Sequence, residues 1–196
     1  MKKMLISALL GVAILAPSAH AAPSLKNSVL KECKFQNRQS YLNEPNTYYF
    51  KYFASSDQLQ STSGTNSGPE FRYSLVYRRS APAGTTGNIW YIVEAKTGKC
   101  LRPKETTSGS GTYVVRAVTC QNVDLHGWQI EPVPTTEIAG TTSFRVISRD
   151  DATTKKFWYL STDGVLRTST RSNVDRQRFF ITCKNMRNES VIPSGT

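Results

Sequence analysis

The sequence predicts an all-β fold, a β-trefoil of three pseudo-repeats, and three observations predict it. Strand-like runs dominate the 196 residues and helix signals are nearly absent. Tyr41-Leu42, Cys100-Leu101 and Tyr159-Leu160 each follow a short apolar strand and a polar turn, and lie 59 residues apart in both steps. Each unit then closes on an aromatic in an alternating strand, at Phe71, Trp128 and Phe179, which are 57 and 51 residues apart. Alternation carried by a recurring interval selects a trefoil over a sandwich.

The strand runs follow in order. They are Tyr48 to Phe53, Tyr73 to Tyr77, Ile89 to Val93, Tyr113 to Val115, Phe157 to Leu160 and Phe179 to Ile181. All are rich in aromatic and β-branched residues, which fit a pleated, half-buried surface. Turn clusters separate them: Ser61 to Pro69, Ala81 to Asn88, Thr106 to Thr112 and Asp163-Gly164. No shift in composition marks a second domain, so residues 33–184 read as one β-trefoil domain.

Residues 1–21 read as a secretory signal peptide. Lys2 and Lys3 supply the positive end, Met4 to Leu15 the apolar stretch, and Ala19-His20-Ala21 the small-x-small cleavage pattern. The apolar stretch is too short for a transmembrane segment. No cysteine stands at the cleavage point, as a lipoprotein anchor requires. Cleavage leaves 175 residues, one ordinary domain able to bury roughly 70% of its unfolded surface. Residues 22–32 and 185–196 read as polar tails. The expected location is therefore secreted or periplasmic.

Loss of Lys2 and Lys3 lowers the formal charge from +11 to +9. The plain reading is a soluble basic protein; the sharper one is attraction to an anionic partner or cell surface. The charges are scattered and no nucleic-acid motif accompanies them, so nucleic acid is not expected as a partner.

Four cysteines suit an oxidising compartment and allow three pairings. Cys100 and Cys120 bracket a Gly/Ser turn within one repeat, so they pair; Cys33 and Cys183 then join the first strand to the last. Zinc is the rival explanation. The cysteine spacing matches no paired-ligand motif and His126 is the one histidine after signal removal, so neither metal nor cofactor is expected.

The middle repeat also carries a family pattern. Gly98-Lys99-Cys100-Leu101, then Cys120, then Trp128-Gln129-Ile130 resembles one repeat of a ricin-type (ricin B-like) lectin, and Gln177-Arg178-Phe179 resembles the closing Gln-x-Trp of another. A narrower pattern adds Glu131-Pro132-Val133-Pro134-Thr135-Thr136, Phe144 to Ile147, and Phe179 to Cys183. It resembles the A and C subunits of cytolethal distending toxin, and more the C type because the lipoprotein cysteine is missing. That resemblance implies a non-catalytic subunit that helps bind host cells, through a surface glycan or lipid. It also implies as partners a nuclease-like toxin subunit and a second ricin-like subunit. A stand-alone secreted lectin is the alternative, and a trefoil protease inhibitor a third reading.

The chain departs from working lectin repeats. Arg102 stands where an Asp is common, and Asp124-Leu125-His126-Gly127 where an Asn-x-Gln pattern is expected. The middle sugar pocket therefore reads as degraded. The third repeat keeps Asp163, Asn173 and Gln177 as a candidate sugar site, although Gln177 also suits a purely supporting role.

Phe71, Trp128 and Phe179 are expected to be core aromatics. Adjacent rings in a strand face opposite sides, so Trp90, Tyr91, Trp158, Tyr49 and Phe53 are candidates for an exposed binding surface, against the plain reading of further core. Leu75-Val76-Tyr77-Arg78-Arg79 matches a loose sterol-contact pattern, against the plain reading of a strand with a basic end. With one histidine, no Gly-x-Ser-x-Gly elbow and no phosphate-binding glycine loop, the chain offers no catalytic set and is read as a non-enzyme.

Overall fold

The computed structural model describes residues 29–38, 48–63, 68–105, 113–121, 126–133, 142–149, 155–170 and 176–184. Tyr41-Leu42, the Pro134-Thr135-Thr136 segment, Asp124, Asn173 and the segments 1–28 and 185–196 lie outside them. Among the described residues there are twelve strands, in order β1 (Val29–Asn37), β2 (Tyr48–Phe53), β3 (Gln58–Ser63), β4 (Tyr73–Ser80), β5 (Asn88–Glu94), β6 (Cys100–Glu105), β7 (Tyr113–Val118), β8 (Gly127–Val133), β9 (Ser143–Ser148), β10 (Lys156–Leu160), β11 (Leu166–Ser169) and β12 (Phe179–Thr182). A 3-10 turn, Pro69–Phe71, precedes β4.

Six strands close a ring of antiparallel pairs: β1 with β4, β4 with β5, β5 with β8, β8 with β9, β9 with β12, and β12 back to β1. The remaining six form hairpins, β2–β3, β6–β7 and β10–β11. Closure removes the unpaired edges that an open sheet of this size would expose.

One register relation recurs around the ring, beside shifts between Leu30 and Cys33 and between Tyr77 and Arg79. Tyr73 stands opposite Cys33 and Glu94, Trp128 opposite Trp90 and Ser148, and Phe179 opposite Phe144 and Asn37. In the first unit it is therefore Tyr73, not the expected Phe71, that holds the place of Trp128 and Phe179. Phe71 ends the 3-10 turn two residues earlier, and is buried from there. The 59-residue interval does not mark equivalent places either: Cys100-Leu101 opens β6, whereas Tyr159-Leu160 ends β10. Loops of different length between the elements shift the spacing.

The core is aromatic. The Trp158 ring lies 5.3 Å from Phe35, 5.2 Å from Trp128 and 5.8 Å from Phe179, in edge-to-face arrangements that suit the ring quadrupoles. Phe35 in turn meets Tyr73, and Phe50 meets Phe179. The hairpins thus plug the ring with Phe50 and Trp158 from above.

Both expected disulfides are present, Cys33–Cys183 and Cys100–Cys120. The first lies where β1 and β12 run side by side. Beside it Lys184 N–H donates to Lys31 O, and Lys184 Nζ donates to Glu32. The sheet begins at Val29, before the expected boundary at residue 33, because Val29 and Leu30 pair with Val76 and Leu75.

Candidate functional site

Alternation sorts the five aromatic candidates. In β5 the side chains of Trp90, Ile92 and Glu94 turn inward, leaving Tyr91 and Val93 half-buried on the outer face. Trp90 and Trp158 are both fully buried, which removes them from the surface set. Trp90 faces Trp128 across the sheet and takes the Tyr77 ring edge-on; Trp158 fills the mouth of the ring.

Tyr91 stays on the outer face, with the Arg78 guanidinium 5.0 Å from its ring centroid. The sterol-like run beside it is not presented to solvent as a unit. Leu75 is fully buried, and the Tyr77 ring packs on Trp90.

Tyr49 and Phe53 belong to a continuous outer face. In β2, Phe50 and Tyr52 go into the core, while Tyr49, Lys51 and Phe53 are half-buried on the other side. Directly across on β3 stand Thr62, Gln60 and Gln58. Cross-strand partners share a face, so two rings, two amides, a hydroxyl and a lysine lie together. Lys34 of β1 places its Nζ 5.4 Å from the Tyr49 centroid, and Lys51 lies 5.3 Å from Phe53 and 5.4 Å from Phe71. Glu70 holds Lys51 at 3.2 Å. The Lys34 ammonium is pulled below its usual range, first by burial and then by Arg72.

The third-repeat candidates are not assembled as a pocket among the described residues. Asp163 sits in the β10–β11 turn and its carboxylate is engaged there. Ser161 Oγ and Val165 N–H donate to Oδ1, and Arg167 donates to Oδ2 at 2.6 Å. These contacts, Ser161 foremost, hold the carboxyl down to about 2. Gln177 is buried.

Glu94 shows a carboxylate used in the same way. Fully buried, it accepts from Lys96 N–H, Thr97 N–H and Thr97 Oγ, and so closes the hairpin that leads into Cys100.

One arrangement could not be seen from spacing. Register lines Lys104 of β6 up with Val114 of β7, Val114 with Arg167 of β11, and Arg167 with Tyr159 of β10. In the adjoining row Arg102 stands directly opposite Arg116. The one sequence signal toward this face was Arg102 in a place where an Asp is common.

No protein-family model matches the sequence, and no curated protein matches it. Solved structures do. A structure called BEL beta-trefoil is 14% identical with a TM-score of 0.53, covering 78% of this chain and 92% of that one. A ricin B-like lectin of Macrolepiota procera in complex with lactose is 13% identical with a TM-score of 0.50, covering 80% of this chain and 95% of that one. A mosquitocidal holotoxin is 16% identical with a TM-score of 0.58 over 85% of this chain, which spans 18% of that longer one. The closed ring with its three hairpins is therefore a β-trefoil, the fold shared with ricin B-like lectins.

Proposed function

We propose that this chain is a secreted, non-catalytic glycan-binding module, a β-trefoil of three repeats whose contact surface is the outer face of the β2–β3 hairpin. The observation that carries the reading is the Tyr49-Lys51-Phe53 file facing Thr62, Gln60 and Gln58 across the strands. Aromatic rings meet the apolar face of a sugar, while amides and hydroxyls exchange hydrogen bonds with its hydroxyl groups. The fold likeness to a lectin supports the same reading, although fold alone does not fix function. The recurring register around the ring supports three repeats. The two disulfides fit an oxidising compartment outside the cytosol, in keeping with residues 1–21 as an export signal.

Within that reading, the module serves as the C-type binding subunit of a multi-subunit toxin of the cytolethal distending kind, alongside a nuclease-like subunit and a second ricin-like subunit. Its support is the sequence resemblance from Cys100 to Cys183. Fixed Asp163 and buried Gln177 leave the usual lectin pockets little to work with, which favours a surface other than those pockets.

A glycan array probed with residues 22–196 tests the binding reading: binding that disappears in Tyr49→Ala and Phe53→Ala supports it, and an array without any signal overturns it. Affinity capture from native secretions with mass spectrometry tests the toxin reading. Recovery of a nuclease-like chain supports it; recovery of this protein alone refutes it and leaves the stand-alone lectin.

A further inference from the structure

We propose that the outer face of β6, β7 and β11, with Tyr159 of β10 at its edge, binds an acidic oligosaccharide, one carrying carboxylate or sulfate groups. The proposal rests on the glycan-binding reading above, but concerns a different surface and a narrower ligand.

Four cations share this face: Arg102 and Lys104 on β6, Arg116 on β7 and Arg167 on β11. Among the described residues two carboxylates oppose them. Asp163 is taken up by Arg167, whereas Asp57 reaches Arg116 only at 3.9 Å. Among the described residues Arg102 and Lys104 form no ion pair, and Lys104 is exposed. The Nε of Arg116 is buried without a hydrogen-bond partner.

Arg102 directly opposite Arg116 is the informative pair. Like charges facing each other across two strands are destabilising in the absence of an anion. A planar guanidinium accepts a carboxylate or sulfate through two parallel hydrogen bonds, so one oxyanion between these side chains would convert repulsion into two attractive contacts. Strands fix the backbone spacing of the cations, which lowers the ordering cost of binding. The half-buried ring of Tyr159, opposite Arg167, offers a flat surface for the sugar itself.

The test measures binding of residues 22–196 to a heparin-derived tetrasaccharide, to lactose and to phosphatidylserine vesicles, at two salt concentrations. Two double variants are compared, Arg102→Gln with Lys104→Gln and, on exposed positions of β4, Arg78→Gln with Arg79→Gln, which remove equal charge from different faces. The expected result is salt-sensitive tetrasaccharide binding that falls by about tenfold or more in the first variant, and changes little in the second. Circular dichroism on both variants verifies the fold; if the first fails to fold, Arg102→Lys replaces it, and loss of the bidentate contact is again expected to weaken binding. Equal losses in the two variants would mean attraction to net charge alone and would overturn the proposal. So would binding to vesicles but not to the tetrasaccharide. Binding to lactose but not to the tetrasaccharide would also overturn it, while leaving the glycan-binding reading intact. Binding to none of the three would overturn the proposal and count against both.

Discussion

Trp158 lies edge-on against Trp128, with ring centroids 5.2 Å apart, although the two come from a hairpin and a ring strand. This contact ties the hairpin layer to the barrel. Trp158→Ala is expected to cost roughly 3–5 kcal/mol, whereas Tyr49→Ala, on the half-buried outer face, should cost well under that. Urea denaturation of the two variants measures the difference; similar midpoints would contradict the assignment of Trp158 to the core.

Gly87 and Gly84 separate strain from contact. Both have positive φ, +85° and +78°, but a Cβ on Gly87 would stand 2.0 Å from Ile130 O, while one on Gly84 would meet nothing within 4 Å. Gly84→Ala should cost about 1 kcal/mol through backbone strain alone. Gly87→Ala should cost substantially more, because the β5 entry and β8 must move apart. Thermal melts of the pair check this.

The two disulfides should contribute unequally. Cys33–Cys183 closes a sequence separation of 150 residues and Cys100–Cys120 one of 20. Chain entropy gives about 5 kcal/mol for the first and about 3 for the second. Replacing each pair by alanines should lower the unfolding midpoint more for the pair that joins β1 to β12. The reverse order would show that local contacts, not loop closure, set the contribution.

His126 should make the fold sensitive to mild acid. Its Nδ1 accepts from Gln121 N–H at 3.2 Å and its Nε2 is buried without a partner. Burial, then Arg102, holds its pKa below the ordinary 6.5. The unfolded chain therefore binds the proton more readily, so this contribution is complete above pH 6.5 and is lost as pH falls below it. Protonation would also turn the Nδ1 acceptor into a donor facing the Gln121 N–H. Stability measured between pH 7 and about 5 should decline, and His126→Gln should flatten that decline. An unchanged slope in the variant would assign the pH dependence to other groups.

How much of this was legible beforehand varies by element. Alternation in Tyr48 to Phe53 separated the outer Tyr49, Lys51 and Phe53 from the inner Phe50 and Tyr52, because a strand sends successive side chains to opposite faces whatever surrounds it. An even number of cysteines, two of them bracketing one turn, led to the right pairing. Trp90 and Trp158 could not be placed in the same way. Alternation says only that neighbours differ, and a ring strand and a plug are indistinguishable until the barrel closes around them.

The sequence by itself determined the class of fold, the two disulfides and which rings share a face, since these follow from local periodicity and composition. Only the tertiary structure decided that Tyr73 rather than Phe71 matches Trp128, and that Arg102, Lys104, Arg116 and Arg167 form one cationic face. Those relations depend on register between strands up to 65 residues apart, and register is fixed by the packing of the whole barrel rather than by any one segment.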